Sequence, residues 1–290
     1  MRCLSALSLL MVVTLCSACT GSGYKLPEVS AQEYTEMESK IQADETEMRI
    51  YKRSDKDYRN RLAKISKRLQ NSAKPLCEQA EYSPCRFEVN YNNEMIVNAY
   101  AHEHYKITVY KGMLQYLSNN EEIAGLVAHE MGHHLSKHNQ ESLQNAQTGA
   151  AVAGVLTAVL VAASNAQNPY YNQYQQAQNQ RTIENMMEVG AKIGAVSYSK
   201  EQEREADLLA VYLLKHARYD LNKAQGLMYK LARMPHDHVE VDGKAALLDT
   251  HPPSSKRYVA WSKAIDEIKA NETGLPYLVD SEQVQQEMVD

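Results

Sequence analysis

Three shortages narrow what this chain of 290 residues can be. Excess positive charge is missing: the formal net charge is −5, and no basic cluster interrupts it, which argues against nucleic acid as a partner. Long apolar runs are also missing inside the chain. Residues 148–163, the most apolar internal stretch, fall short of the roughly 18–20 residues of a membrane span and lack charged flanks. Rich in small residues, the stretch is expected to form a buried or lid-like helix, with a membrane-embedded helix as the rival reading. Cysteine is the third shortage: there are five, and three of them, Cys3, Cys16 and Cys19, sit at the start.

That start has the layout of a secretory signal. Arg2 precedes an apolar run over residues 4–15, and Ser17-Ala18-Cys19 follows. The segment 1–18 is similar to a bacterial lipoprotein signal, in which Cys19 becomes the acylated first residue. Cys16 stands where such signals usually have Leu, and a plain secretory signal cut nearby is the alternative. Thr20 rather than Asp after the cysteine implies the outer membrane. The expected location is therefore the periplasm, with the protein held on the membrane through lipid at Cys19 and with residues 19–29 as a tether. Cys77 and Cys85 remain as an even pair, which an oxidising compartment would join into a structural disulfide around Pro84.

What the chain does contain is His129-Glu130-Met131-Gly132-His133, the pattern H-E-x-x-H. Residues four apart lie on one face of a helix, so His129 and His133 can aim two imidazole nitrogens at one ion. Glu130 lies about 100° further round, within reach of a water on that ion and placed as a general base. A pattern this short arises by chance, so it needs a helix to sit on and a third ligand. The helix is indicated by a capping box at Ser118-Asn119-Asn120-Glu121 and by Ile123, Leu126 and Val127, an apolar stripe running into the histidines. His134 and His138 fall off the four-residue step and are expected at surface or supporting positions.

Around this motif the chain divides by character. Residues 30–75 are dense in Glu, Lys, Arg and Gln, with apolar residues at helical spacings; they read as one or two amphipathic helices packed outside a catalytic domain at 76–270. Three short β-rich runs, at 87–90, 95–100 and 105–110, predict a small sheet. An edge strand of such a sheet can hold an extended peptide by main-chain hydrogen bonds, and residues 98–100, with Asn98, or 107–110 would serve. Residues 165–180, rich in Asn, Gln and Tyr, read as a polar loop, and 271–290 as a C-terminal tail.

A third ligand is offered by a second helix. Ser199-Lys200-Glu201-Gln202 is a capping box, and the stripe Ala206, Ala210, Leu213, Leu214 extends backwards through Glu203 and Asp207. Two carboxylates on a core-facing stripe are costly unless paired or bound to metal. The pattern alone leaves open a rotated helix that exposes them. Taken with the upstream histidines, Glu203 completes two His and one Glu for a tetrahedral zinc with one open position. Asp207, one turn on, is placed to accept the other ring N–H of His129.

His129-Glu130-Met131-Gly132-His133, Glu203-Arg204-Glu205-Ala206-Asp207 and His251-Pro252-Pro253 with Arg257 together resemble a known family. It is the zinc metallopeptidase family that includes HtpX, the prenyl-protein proteases and periplasmic lipoproteins of the LoiP and BepA type, the last being nearest. The resemblance implies an α+β fold: a mainly helical zincin-type (gluzincin) domain with a small antiparallel sheet and the H-E-x-x-H helix. It implies one Zn2+ per chain on His129, His133 and Glu203, and endopeptidase activity on misfolded or misassembled envelope proteins. It also implies a catalytic His251, stabilising the oxyanion or plugging the open site, and Arg257 as a substrate or supporting contact. The rival is an outer-membrane assembly chaperone, working with the assembly machinery, whose protease site is latent. The short stretch after Arg257 does not predict a large array of helical repeats.

Overall fold

The computed structural model describes residues 23–102, 105–165, 173–195, 198–234, 251 and 255–279. The expected signal at 1–18, Cys19, His104, Pro252 and Pro253, His236, His238 and the last residues of the tail lie outside the described residues.

Helix α1 (Ala31–Ala43) opens on a reciprocal cap between Ser30 and Glu33. Helix α2 (Asp55–Ser72) carries Tyr58, Leu62, Ile65 and Leu69 at steps of three and four, and all four are buried. They belong to the same apolar cluster as Ile123, Leu126 and Val127. Region 30–75 is thus not an outer layer throughout: so large an apolar stripe has to be shielded from water, and α2 completes the main core. The expected tether is likewise engaged at Tyr24, which is buried and bridges to Leu278.

Short α3 (Lys74–Gln79) places Cys77 in a disulfide with Cys85. The chain then forms β1 (Glu88–Asn92), β2 (Ala99–His102) and β3 (Lys106–Tyr110). The sheet order is β1-β3-β2, with β1 parallel and β2 antiparallel to β3. The sheet is therefore mixed, where an antiparallel one was expected. The chain crosses from β1 to the far edge and returns through the middle, so β3 runs along β1. Both sides of β3 are paired, which removes residues 107–110 as a substrate edge and leaves β2 as an edge. Residues 95–98 form no strand; the backbone oxygens of Met95 and Ile96 lie over Gly112 in α4 (Lys111–Leu114), where a Cβ would come within 2.4 Å of Ile96 O.

Helix α5 (Asn120–Leu135) starts one residue later than the expected box. Asn119 is the cap, accepting from the Glu122 N–H at 2.8 Å, and Ser118 donates to the Glu122 carboxylate from both its N–H and its hydroxyl. Helices α6 (His138–Asn165) and α7 (Gln173–Ala195) pair with each other. Residues 148–163 are thus helical but not buried: Val155 is 58% and Leu160 70% exposed. The reason is the packing of α6, which turns small Gly154 towards Met187 of α7 and leaves its bulky residues outside. By length and composition His138–Ser164 is long and apolar enough to cross a membrane. Residues 173–180, read as loop, belong to α7.

Helix α8 (Lys200–His216) keeps the Ser199–Gln202 capping box. It meets α5 at Gly132, where a Cβ would sit 2.7 Å from Ala206 O, so only hydrogen permits this approach. Helices α9 (Leu221–Ala224), α10 (Gly226–Arg233) and α11 (Ser255–Ala270) complete the helical part among the described residues. Mutation of Leu62 to Ala is expected to lower the unfolding free energy by about 2–5 kcal/mol, measured in urea, within a single transition. A separate early transition carrying that loss would make α2 an independent layer.

Candidate metal centre

The last two turns of α5 and the first two turns of α8 hold most of the chemistry. His129 and His133 point their Nε2 atoms to within 3.1 Å of each other. Glu203 of α8 brings Oε1 to 3.3 Å from His133 Nε2 and Oε2 to 3.6 Å from His129 Nε2. His251 adds Nδ1, 3.3 Å from His129 Nε2 and 2.8 Å from Glu203 Oε1. All four residues are buried, and their donor atoms lie within 4.8 Å of one another.

Such a cluster fits a cation and little else. Three imidazole nitrogens and a carboxylate converge in one buried group. A tetrahedron with bonds of about 2.0–2.1 Å has edges of about 3.3 Å, and the separations given above, from 2.8 to 3.6 Å, bracket that value. The group could hold a metal ion, with His251 at the fourth corner.

The electrostatics suit that use. Burial pushes His133 well below its ordinary pKa, keeping the ring neutral although Glu203 pulls the other way. Burial alone would raise the carboxyl of Glu203, but Arg257 and His251 hold it well below the usual carboxylate range. Asp207 is lowered in the same way, by Arg257 and His129 against the effect of burial. His251 is raised: Glu203 and Glu130 outweigh its burial.

Each expected residue can now be placed. Glu130 is fully buried, and its Oε2 accepts the Ala101 N–H of β2 at 2.8 Å, while Oε1 lies 3.8 Å from His251 Nε2. Asp207 Oδ1 lies 2.9 Å from His129 Nδ1. Asn98 is buried just before β2. Arg257 does not face the cleft. Its Nε and Nη2 donate to both oxygens of Asp207 at 2.7 and 2.8 Å, and Nη1 sits 2.6 Å from Glu203 Oε2. With a 5% exposed side chain turned to two carboxylates, it clamps them from behind, the supporting rather than the substrate-binding one of the two positions expected for it.

His134 and His138, expected at surface or supporting positions, are buried and take the supporting one. His134 Nε2 lies 2.9 Å from Lys106 O, tying α5 to β3, and His138 Nδ1 lies 2.9 Å from His133 Nδ1. His102, on β2, meets Thr108 Oγ1 at 3.0 Å. Two residues were given no role by the sequence. Tyr198 stacks on the His133 ring with centroids 3.8 Å apart, and Glu205, which falls off the stripe of Glu203 and Asp207, is buried with Oε1 accepting from Ser136 Oγ. Nothing in the pattern marks Tyr198; Glu205 was legible only as a third acid on an otherwise apolar helix.

A mostly helical domain with a three-stranded mixed sheet, and with this donor set on an H-E-x-x-H helix, defines a zincin-type metallopeptidase. The model of Peptidase family M48 matches residues 63–265, more than half of the chain, and the chain belongs to that family. It is thus a metallopeptidase, a hydrolase of peptide bonds, of a kind that usually carries zinc. No curated protein matches the chain.

Removing one partner from the buried clamp leaves two carboxylates without their cation. The substitution Arg257→Leu is expected to cost the chelator-treated protein about 3–5 kcal/mol, measured by denaturant unfolding at neutral pH. Glu203 and Asp207 have lowered values in the fold, so their stabilisation is full above their ordinary pKa values of 4.5 and 3.8 and is lost as pH falls below them. Wild type should therefore lose stability on acidification below about pH 4.5, and Arg257→Leu much less steeply.

Proposed function

We propose that the chain is a zinc endopeptidase of the bacterial cell envelope, degrading misfolded or misassembled envelope proteins, with one Zn2+ per chain on His129, His133 and Glu203. One observation carries the reading: the donor atoms of those three residues converge at tetrahedral spacing while Glu130 stands beside them. A zinc ion held there supplies a Lewis acid and lowers the pKa of a water at the open position.

The protein's own residues do the rest. Asp207 Oδ1, 2.9 Å from His129 Nδ1, favours the ring hydrogen on that nitrogen and so leaves the lone pair on Nε2. Arg257 keeps Asp207 and Glu203 ionised and in place. Glu130, held by the Ala101 N–H, takes the proton of the attacking water. It returns that proton to the amine nitrogen as the C–N bond breaks. Since Ala101 turns its N–H to Glu130, the outer edge of β2 runs beside the centre, in position to line up an extended peptide by main-chain hydrogen bonds. An extended, sequence-tolerant mode suits unfolded substrates.

The envelope address rests on the similarity of residues 1–18 to a lipoprotein signal, with Cys19 as the lipid anchor of a periplasmic, outer-membrane protein nearest in type to LoiP and BepA. The Cys77–Cys85 disulfide supports an oxidising compartment, and the exposed apolar face of α6 supports work close to a membrane.

A second reading is favoured by His251. A catalytic centre keeps one corner open for water, whereas here a fourth donor stands in the group. An outer-membrane assembly chaperone with a latent protease site would have this arrangement. In the first reading His251 instead swings to the developing oxyanion and stabilises it.

Two measurements decide. Cleavage of an unfolded protein should fall about 100- to 10,000-fold in Glu130→Gln at unchanged zinc content; equal turnover would end the mechanism. His251→Ala should lower cleavage if the residue stabilises the oxyanion and raise it if the residue holds the site closed.

A further inference from the structure

His133 is gripped from behind by groups that the reaction above leaves unused. His138, the first residue of α6, is 2% exposed, and its Nδ1 lies 2.9 Å from His133 Nδ1. The opposite nitrogen of His138, Nε2, faces Glu205 Oε2 at 3.7 Å. Glu205 is itself fixed, because its other oxygen accepts from Ser136 Oγ at 2.8 Å. The turn that brings His138 back onto α5 passes through Lys137 at φ 60°. That left-handed conformation is unfavourable for a residue with a Cβ and persists where the surroundings demand it.

Proton positions follow from these contacts. A histidine that offers Nε2 to a cation carries its hydrogen on Nδ1 and must donate it to something. For His133 the acceptor within reach is His138 Nδ1. Accepting there puts the His138 hydrogen on Nε2, where the Glu205 carboxylate favours it. That tautomer of His138 gives the His133 Nδ1–H its acceptor, and the alternative leaves two N–H groups facing each other at 2.9 Å. His138 itself stands outside the four-donor group.

We propose that His138, oriented by Glu205, is the positioning residue for His133, fixing its tautomer and ring angle as Asp207 does for His129. The proposal rests on the centre being a metal site. Each helical histidine then has its own acceptor, one from α8 directly and one through a relay from the foot of α6. Because α6 continues into the exposed hairpin, the same contact joins that hairpin to the centre.

The test compares His138→Leu, His138→Gln and Glu205→Gln with wild type. Zinc affinity is measured by chelator competition, and the melting temperature is taken on chelator-treated protein. His138→Leu should bind zinc about 10- to 100-fold more weakly. His138→Gln, whose amide oxygen can accept the Nδ1–H, should recover most of that loss, and Glu205→Gln should show a smaller one. Melting temperatures of the two His138 variants should agree. Wild-type affinity in His138→Leu, or equal losses in Leu and Gln that follow the melting temperature, would overturn the positioning role. If His138→Leu does not fold, wild-type affinity in Glu205→Gln would overturn it. Absence of stoichiometric zinc in wild type would instead overturn the metal reading, and this relay with it.

Discussion

The close approach of α5 and α8 is the constraint on which the rest of the structure depends. Two histidines on one helix define a line, and only a donor from a second helix closes it into a site. That donor, Glu203, reaches the histidines because Gly132 lets α5 lie against the backbone of Ala206. The apolar clusters on both helices, including the contribution of α2, hold them at that distance. A core built for packing thus also sets donor spacings of about 3 Å.

Bringing Glu203 and Asp207 into that core creates an electrostatic problem, which Arg257 answers. Carboxylates in a low-dielectric interior are strongly unfavourable unless neutralised by partners. One guanidinium, delivered by α11, binds both. The carboxylates therefore stay ionised, one towards the metal position and one towards His129. Function and stability meet in this clamp: the charges that orient the ligands are the ones whose burial has to be compensated.

Around the centre, distinct elements each supply one control. The edge strand β2 fixes Glu130 through a backbone N–H, His251 brings a fourth donor from the far side, and the foot of α6 supports His133. The apolar hairpin beyond that foot has its bulky side chains outward, the inverse of what water alone would select.

The sequence by itself determined the local features: the H-E-x-x-H face, the capped helix with Glu203 and Asp207 in register, and the pair Cys77 and Cys85. These follow from helical periodicity, capping chemistry and residue type, which act over a few residues. The tertiary structure alone decided which strand is central, that α2 is core, that 148–163 is exposed, that Arg257 faces inward, and that His138 and Tyr198 close on His133. Each of those depends on contacts between segments far apart in the chain or across a turn, and periodicity within one segment is blind to what it will pack against. Glu205 shows the limit most plainly: one residue off the predicted stripe, it is buried all the same, because Ser136 and His138 meet it from the neighbouring helices.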